Sequence, residues 1–174
     1  MRIKAKKIYK RELVYKDMNN KEKLPPLAAF LRLLKEDLDF DFNRNSLDDR
    51  IKLQKYVFIA KSFGLNLGYY YSLYIHGPYS PNLARDYYNL NLKSYDYNTL
   101  DLKRTFNFGE FKLAVQGKST KWLEIASTAL SLKEMNHNLS KDELFDTLVK
   151  IKGSVYKEQD IQEILDEAIK YLPL

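Results

Sequence analysis

The sequence predicts a mostly helical α+β fold, a compact helical domain that carries a small β-hairpin or short sheet, with a winged-helix-like arrangement as one option. Apolar residues recur at helical spacing in several segments, and residues that suit helix N-caps precede some of them. One aromatic segment, residues 69–76, alternates instead in the manner of a β-strand. With 174 residues, of which 45% are hydrophobic and 30% charged, the chain can form one domain with a sizeable core.

The first predicted helix covers residues 26–37. Pro25 and Pro26 directly precede it, and a proline can begin a helix but inside one it removes a hydrogen bond and clashes with the preceding turn. The helix is therefore expected to begin at the prolines. The apolar residues at helical spacing are Leu27, Phe30, Leu31 and Leu34.

A second helix is predicted over residues 46–63, with signals at both ends. Ser46 can cap it, Asp48 and Asp49 lie in the first turn, and Gly64 suits its end. Its broad apolar face predicts a central position, and is formed by Leu47, Ile51, Leu53, Val57, Phe58, Ala60 and Phe63. The polar side is expected to hold Arg50, Gln54 and Lys61.

Residues 69–81 predict a strand, a turn and the start of a helix. Tyrosine, leucine and isoleucine alternate with other residues up to His76, and Gly77-Pro78 is expected to turn the chain. Ser80 is a suitable N-cap and Pro81 suits the first helical position. We interpret His76 as a structural residue that hydrogen-bonds the turn, rather than as a catalytic one.

The second half is predicted to contain short strands and then three helices. The segment TFNFGEFKLAV alternates and predicts strands around Gly109. Ser140 and Glu143 have the spacing of a capping box. The three amphipathic helices are predicted over 119–135, 141–151 and 157–172.

We interpret residues 1–174 as a single domain with three parts. Residues 1–22 are a basic N-terminal arm, residues 23–118 hold the core helices and the β element, and residues 119–174 form a C-terminal three-helix segment. No long linker, internal repeat or low-complexity tract separates them.

The net charge of +6 lies entirely in the N-terminal arm. Residues 1–16 hold seven basic residues and one acidic residue, and the basic and acidic residues of the other 158 balance. Such an arm suits phosphate contacts with nucleic acid, an acidic protein partner or simple solvation. The residues predicted to contact nucleic acid are Arg2, Lys4, Lys6, Lys7, Lys10 and Arg11.

Composition excludes several kinds of site. The chain has no cysteine, which excludes disulfides and thiolate metal sites, and its two histidines, His76 and His137, are far apart. We predict no metal and no cofactor. No apolar run reaches the length of a membrane span and the basic N-terminus lacks a signal-peptide core, so a cytoplasmic protein with no membrane partner is expected.

A metal-dependent hydrolase or nuclease is the alternative hypothesis. In it, Asp101 and Glu110 would hold Mg²⁺ and Lys112 would assist an attacking water, with His76 and Tyr79 nearby. The Glu-x-Lys pair carries little weight, because such pairs are common by chance in a lysine-rich chain. This hypothesis requires the side chains to converge in one pocket.

Part of the chain resembles the uncharacterised YwgA-like proteins. The resemblance rests on Lys52-Leu53-Gln54-Lys55 in a helix, then an aromatic strand, then Gly77-Pro78-Tyr79-Ser80 opening a helix that ends near Leu90, and more loosely on Trp122–Thr128. More distantly, the first half is similar to the Panacea domain of SocA-like antitoxins and adaptors. The resemblance covers residues 46–92 well and 119–170 loosely. It implies a mostly helical domain without assigned catalytic residues, and the antitoxin link implies a protein partner.

These observations favour a non-enzymatic binding module, a regulator or an antitoxin-like adaptor that binds a protein partner. Half of the 14 tyrosines lie between residues 69 and 88, and tyrosine is enriched in recognition surfaces. A homodimer formed through this tyrosine surface is a further option. The predicted partner-binding residues are Arg50, Gln54, Lys61, Tyr79, Arg85 and Tyr88.

Overall fold

The structure, a computed structural model, describes residues 20–95 and 98–174. This part of the chain contains eight α-helices and one two-stranded antiparallel sheet. The helices are α1 (Asn20–Leu38), α2 (Leu47–Ser62), α3 (Pro81–Asn89), α4 (Thr99–Lys103), α5 (Phe108–Val115), α6 (Thr120–Met135), α7 (Lys141–Lys152) and α8 (Glu158–Ala168). The strands are β1 (Ser72–Tyr74) and β2 (Gly77–Tyr79), and a short 3₁₀ turn covers Leu92–Ser94. The predicted mostly helical α+β class with a small hairpin is confirmed. The residues predicted to contact nucleic acid lie outside the described ranges.

Helix α6 is the central element of the fold. Its residues from Trp122 to Leu132 are all buried, and α6 packs against α2, β2, α7 and α8. The hydrophobic core runs from Leu27 on α1 to Leu172 after α8 and includes side chains from every α-helix. The small hairpin thus lies against the two most buried helices, α2 and α6.

Side-chain caps begin most of the helices where the sequence predicts them. The Ser46 side chain accepts a hydrogen bond from the Asp49 amide, and Ser80 accepts one from the Leu83 amide. Ser140 and Glu143 form the complete capping box, in which each side chain bonds the other's backbone amide. The predicted helices after residues 46, 80, 119 and 140 are confirmed, and the last helix is confirmed over Glu158–Ala168.

The predicted start of the first helix is wrong. Helix α1 begins at Asn20 and contains both Pro25 and Pro26 in its second turn. The fixed φ of proline suits a helix, but each proline loses its own amide hydrogen bond and its ring crowds the carbonyl four residues earlier. Burial of the residues that follow offsets this loss, because almost every residue from Leu27 to Leu34 is buried.

The hairpin turn lies two residues earlier than predicted. Ile75 and His76 form the turn, and Gly77–Tyr79 pairs with Ser72–Tyr74 as β2 instead of turning the chain. Pro78 has no amide to donate, which an edge strand of a two-stranded sheet tolerates, and its carbonyl accepts a hydrogen bond from Lys55 on α2.

The strands predicted around Gly109 are also wrong, because Phe108–Val115 forms α5. The alternating phenylalanines cluster around a helix instead: the Phe106 ring centroid lies 5.9 Å from that of Phe108 and 5.8 Å from that of Phe111. Phe63, at the end of α2, contacts the same cluster at 6.0 Å. A tertiary aromatic cluster therefore produces a pattern that resembles a strand.

Within the described ranges, none of the helices has both the length and the apolar character that crossing a membrane requires.

Candidate functional site

The Gly-Pro-Tyr-Ser segment is held against α2 by a buried glutamine. The Gln54 Nε2 atom donates to the Ser80 carbonyl at 3.0 Å, and the Ser80 amide donates to Gln54 Oε1 at 2.9 Å. Both residues are fully buried, so the side-chain amide replaces a strand partner for this backbone. Gln54 was predicted on an exposed polar side with Arg50 and Lys61, and that placement is wrong because the hairpin and α3 cover it.

A buried lysine holds the neighbouring residue of the hairpin. The Lys55 Nζ atom donates to the Pro78 carbonyl at 2.7 Å, and only 1% of Lys55 is exposed. Removal from water lowers the Lys55 pKa to about 7, although the nearby Glu124 carboxylate acts in the opposite direction. Lys55 is not among the site residues predicted from the sequence.

A second buried lysine, from α7, holds the hairpin turn from the other side. The Lys152 Nζ atom donates to the Ile75 carbonyl at 2.7 Å and lies 3.4 Å from Glu124 Oε2. Tyr156 donates to the same carboxylate oxygen at 3.2 Å. Burial lowers the pKa of Lys152 and, with help from Glu124, raises the pKa of Tyr156 to about 12.

His76 completes this group of charged residues. Its Nδ1 atom lies 3.1 Å from Glu124 Oε1, and about half of its side chain is exposed. We call Lys55, His76, Glu124, Lys152 and Tyr156 the buried ion cluster. Three helices and the hairpin meet there around one carboxylate. His76 therefore bonds a side chain of α6, where a bond within its own turn was predicted.

Beside the cluster, a groove of about 340 Å³ lies between the start of α2, the hairpin and α3. We call it the hairpin groove. Its apolar and aromatic lining is formed by Leu47, Ile51, Tyr74, Ile75, Tyr79, Tyr87 and Tyr88. Its polar lining is formed by Arg50, Gln54, Lys55 and His76.

The rim of the hairpin groove exposes large apolar side chains to solvent. Leu47 is 60% exposed, Tyr74 52%, Ile75 74% and Tyr88 48%. Such residues are usually scattered singly on a protein surface, whereas a cluster around a concavity is typical of an interaction site. On the hairpin side of the groove, Gln54, Lys55 and Lys152 donate hydrogen bonds to the backbone carbonyls of residues 80, 78 and 75, which fixes this wall in position.

Four of the six predicted partner-binding residues line this groove, namely Arg50, Gln54, Tyr79 and Tyr88. Arg85 forms a 3.0 Å ion pair with the neighbouring Asp86. Lys61 lies elsewhere, in a 3.2 Å ion pair with Glu134 beside a second concavity of about 440 Å³. The second concavity is lined mainly by Phe58, Tyr69, Tyr70, Tyr71 and Met135.

In the alternative enzymatic hypothesis, His76 and Tyr79 both line the hairpin groove, whereas the three charged candidates lie in separate surroundings. Asp101 pairs with Arg104 at 3.6 Å, and Lys112 lies 4.0 Å from Asp37 on α1. Glu110 is exposed in the first turn of α5, whereas His76 contacts Glu124. Across residues 20–95 and 98–174, no group of three or more histidine, aspartate or glutamate side chains could hold a metal ion.

Comparison with known proteins finds no matching family model, no matching curated protein and no matching solved structure. The resemblance to the YwgA-like and Panacea proteins therefore stays a prediction from the sequence.

Proposed function

We propose that this protein is a non-enzymatic binding module, a regulator or adaptor that captures a protein partner in the hairpin groove. The observation that carries the proposal is the cluster of four exposed apolar side chains around a groove with a fixed wall. Aromatic residues in a preformed concavity bury a large area at a low entropic cost, and they dominate the binding energy of many interfaces. The distant resemblance to antitoxin and adaptor domains implies the same kind of partner.

Peptides selected from a random display library against the full chain test this proposal. We expect selected peptides to bind the Ile75→Asp variant at least tenfold more weakly, because a charge would replace the most exposed apolar residue of the rim. The matched control is Leu113→Asp on α5, where an equally apolar side chain is 67% exposed outside the groove, and it should leave affinity unchanged. Thermal unfolding of both variants checks that the fold is intact. Peptides that bind all three proteins equally, or a selection that yields none, would overturn the proposal.

Nucleic-acid binding through the basic arm is a second candidate function. The observation that favours it is the concentration of the whole net charge of +6 in residues 1–16. Clustered lysine and arginine side chains bind phosphates by releasing counterions, which needs no base-specific contact. This function and partner binding in the hairpin groove are compatible, because they use different residues.

Fluorescence anisotropy with labelled duplex and single-stranded DNA tests this second function. Replacing Lys6, Lys7 and Lys10 with glutamine should weaken binding and lower the slope of log affinity against log salt by about 2–3. The control variant replaces three exposed lysines of the described chain with glutamine, namely Lys150, Lys157 and Lys170. Equal losses in the two variants, or no binding by the wild-type chain at low salt, would contradict a role for the arm.

A further inference from the structure

The hairpin groove has basic lining residues and no acidic ones. Arg50, Lys55 and His76 contribute to its surface, whereas its other lining residues are apolar, aromatic or amide side chains. This contrasts with residues 17–174 as a whole, in which acidic and basic residues balance. The charge of the groove is therefore a local feature.

Two arginines are held in place at the side of the groove formed by α2 and α3. The Arg50 Nη1 atom donates to the Arg44 carbonyl at 2.8 Å, and the Arg44 Nη1 atom donates to the Tyr88 carbonyl at 2.7 Å. The nearest carboxylates of α2 have other partners: Asp48 forms an ion pair with Lys52, and Asp49 accepts from the Asn43 amide at 2.9 Å. The arginine charges thus lie beside the aromatic rim.

We propose that the occupant of the hairpin groove is an acidic peptide segment of a partner protein, with a large apolar side chain in the groove and a carboxylate paired with Arg50. This inference rests on the proposed function and names its partner chemistry. A planar guanidinium binds a carboxylate through two parallel hydrogen bonds, which gives both affinity and orientation. The apolar side chain would lie between Ile75 on the hairpin and Tyr88 on α3.

The charge beneath the groove favours the same occupant. Lys55 is buried at the groove with one hydrogen bond, to Pro78, and burial lowers its pKa to about 7. The Glu124 carboxylate offsets only part of the cost of burying this ammonium group, since its pKa is still lowered, so an additional anion nearby favours the charged form of Lys55. The aliphatic rim residues Leu47 and Ile75 favour a peptide over a nucleic acid, whose bases would stack on aromatic faces.

The test uses the peptides from the display selection and, for each, a version in which every Asp and Glu is replaced with Asn or Gln. Against the full wild-type chain, we expect the amide versions to bind at least tenfold more weakly. Against Arg50→Gln the difference in affinity between the acidic peptides and their amide versions should fall below about threefold, because the charge that pairs with the carboxylate has been removed. Arg50→Lys, which keeps the charge but cannot form the two parallel hydrogen bonds, should retain only part of the difference. The control is Arg104→Gln on α4, an exposed arginine outside the groove, which should behave as wild type.

The possible results separate this inference from the proposed function. Peptides that require Ile75 but tolerate the amide replacement would overturn the acidic occupant and leave groove binding standing. The acidic occupant would also be overturned if the amide replacement weakened binding to Arg50→Gln as much as it weakens binding to wild type. Acidic peptides that bind wild type and Ile75→Asp equally would be bound outside the groove, which overturns both.

Two other occupants are tested with the same variants. Light scattering that shows a wild-type dimer and an Ile75→Asp monomer would identify a second copy of the chain as the occupant. Anisotropy that shows single-stranded DNA bound by wild type and lost in Ile75→Asp would identify a nucleic acid. Either result would overturn the acidic peptide.

Discussion

Replacement of Gly77 with alanine is expected to lower the free energy of unfolding by about 2–5 kcal/mol. Gly77 has a φ of +87°, which side chains other than glycine rarely adopt. A Cβ atom there would lie 2.7 Å from Thr128 Oγ1 and 3.3 Å from the Glu124 carbonyl, both on α6. The substitution thus combines backbone strain with a clash where the hairpin packs on the central helix. Urea denaturation measures the loss.

Gly117→Ala is the matched control for this prediction. Gly117 has a φ of +69°, but a Cβ atom there would meet no atom within 4 Å. We expect only the conformational cost, about 1 kcal/mol. If the two substitutions had equal effects, the hairpin would not be packed as closely on α6 as the structure indicates. Since Gly77 follows the turn that carries Ile75, its replacement should also weaken peptide binding in the hairpin groove, which the Gly117 variant should preserve.

Replacement of Glu124 with glutamine is expected to cost about 3–5 kcal/mol near pH 6. The Glu124 side chain is 4% exposed and faces Lys152, which is 1% exposed, while Lys55 is equally buried nearby. Neutralising the carboxylate leaves these ammonium groups buried without a counter-charge, which is the costly half of a buried ion pair. Chemical denaturation of wild type and variant gives the difference.

The Glu124→Gln effect should shrink as the pH rises from 6 to 9. The folded-state pKa of Lys55 is about 7, below the value of about 10.5 for a free lysine, and that of Lys152 is also lowered. Between the folded and unfolded pKa values the unfolded chain binds more protons, so each buried lysine makes stability increase with pH. Without Glu124 these folded pKa values fall further, and the variant begins to recover at a lower pH than wild type. A pH-independent difference would contradict this account.

A double variant tests whether the stability lost in Glu124→Gln arises from the charge of Glu124. Glu124→Gln combined with Lys152→Met removes one negative and one positive charge from the buried ion cluster. It should be less destabilised than the sum of the two single variants by about 1–3 kcal/mol. Additive losses would indicate that Glu124 and Lys152 contribute by packing and not by their charges.

Local signals in the sequence account for most of the helices. Ser46, Ser80 and Ser140 each accept a hydrogen bond from the amide three residues further on. The signal that begins α2, α3 or α7 therefore lies within four consecutive residues of that helix. The apolar faces of these helices follow a period that is equally local. The alternation of Tyr69, Tyr71, Leu73 and Ile75 predicts a buried side for the aromatic segment, and the first three of these are more buried than Tyr70, Ser72 and Tyr74. Ile75 departs from the pattern because it lies in the hairpin turn, where it is 74% exposed.

The sequence predicts strands in place of α5 because the most regular pattern in this segment, the alternation of phenylalanines, arises from tertiary packing. Phe106 and Phe108 alternate as in a strand, yet their rings pack with Phe111 and Phe63 in a cluster formed by two helices. The helical signal was present in the buried positions Phe111, Ala114 and Val115, which follow an i, i+3, i+4 spacing. Over eight residues the two patterns could not be separated.

The candidate site was predicted only in part. Arg50, Tyr79 and Tyr88 were selected as polar or aromatic residues of α2 and of the segment after the strand, and they meet at the hairpin groove. Lys55 was overlooked, although it lies four residues after Ile51 and four before Ile59, within the apolar stripe of α2. A lysine in such a position indicates a buried cation that needs a partner.

From local signals the sequence predicts α2, α3, the three C-terminal helices and most of α1, since capping and periodicity involve residues within one or two turns; it does not predict α4, and it predicts strands in place of α5. It also determined that one aromatic hairpin interrupts the helices. The roles of Gln54, Lys55 and Glu124 depend on tertiary packing, because these residues bond partners 26, 23 and 28 residues away along the chain. An unpaired polar group inside a protein is energetically costly, so each of these buried side chains bonds a group on a neighbouring element of the fold. These bonds hold the hairpin and the residue that follows it against the helices. The hairpin groove, and the basic charge beside its aromatic rim, exist only as a result of that packing.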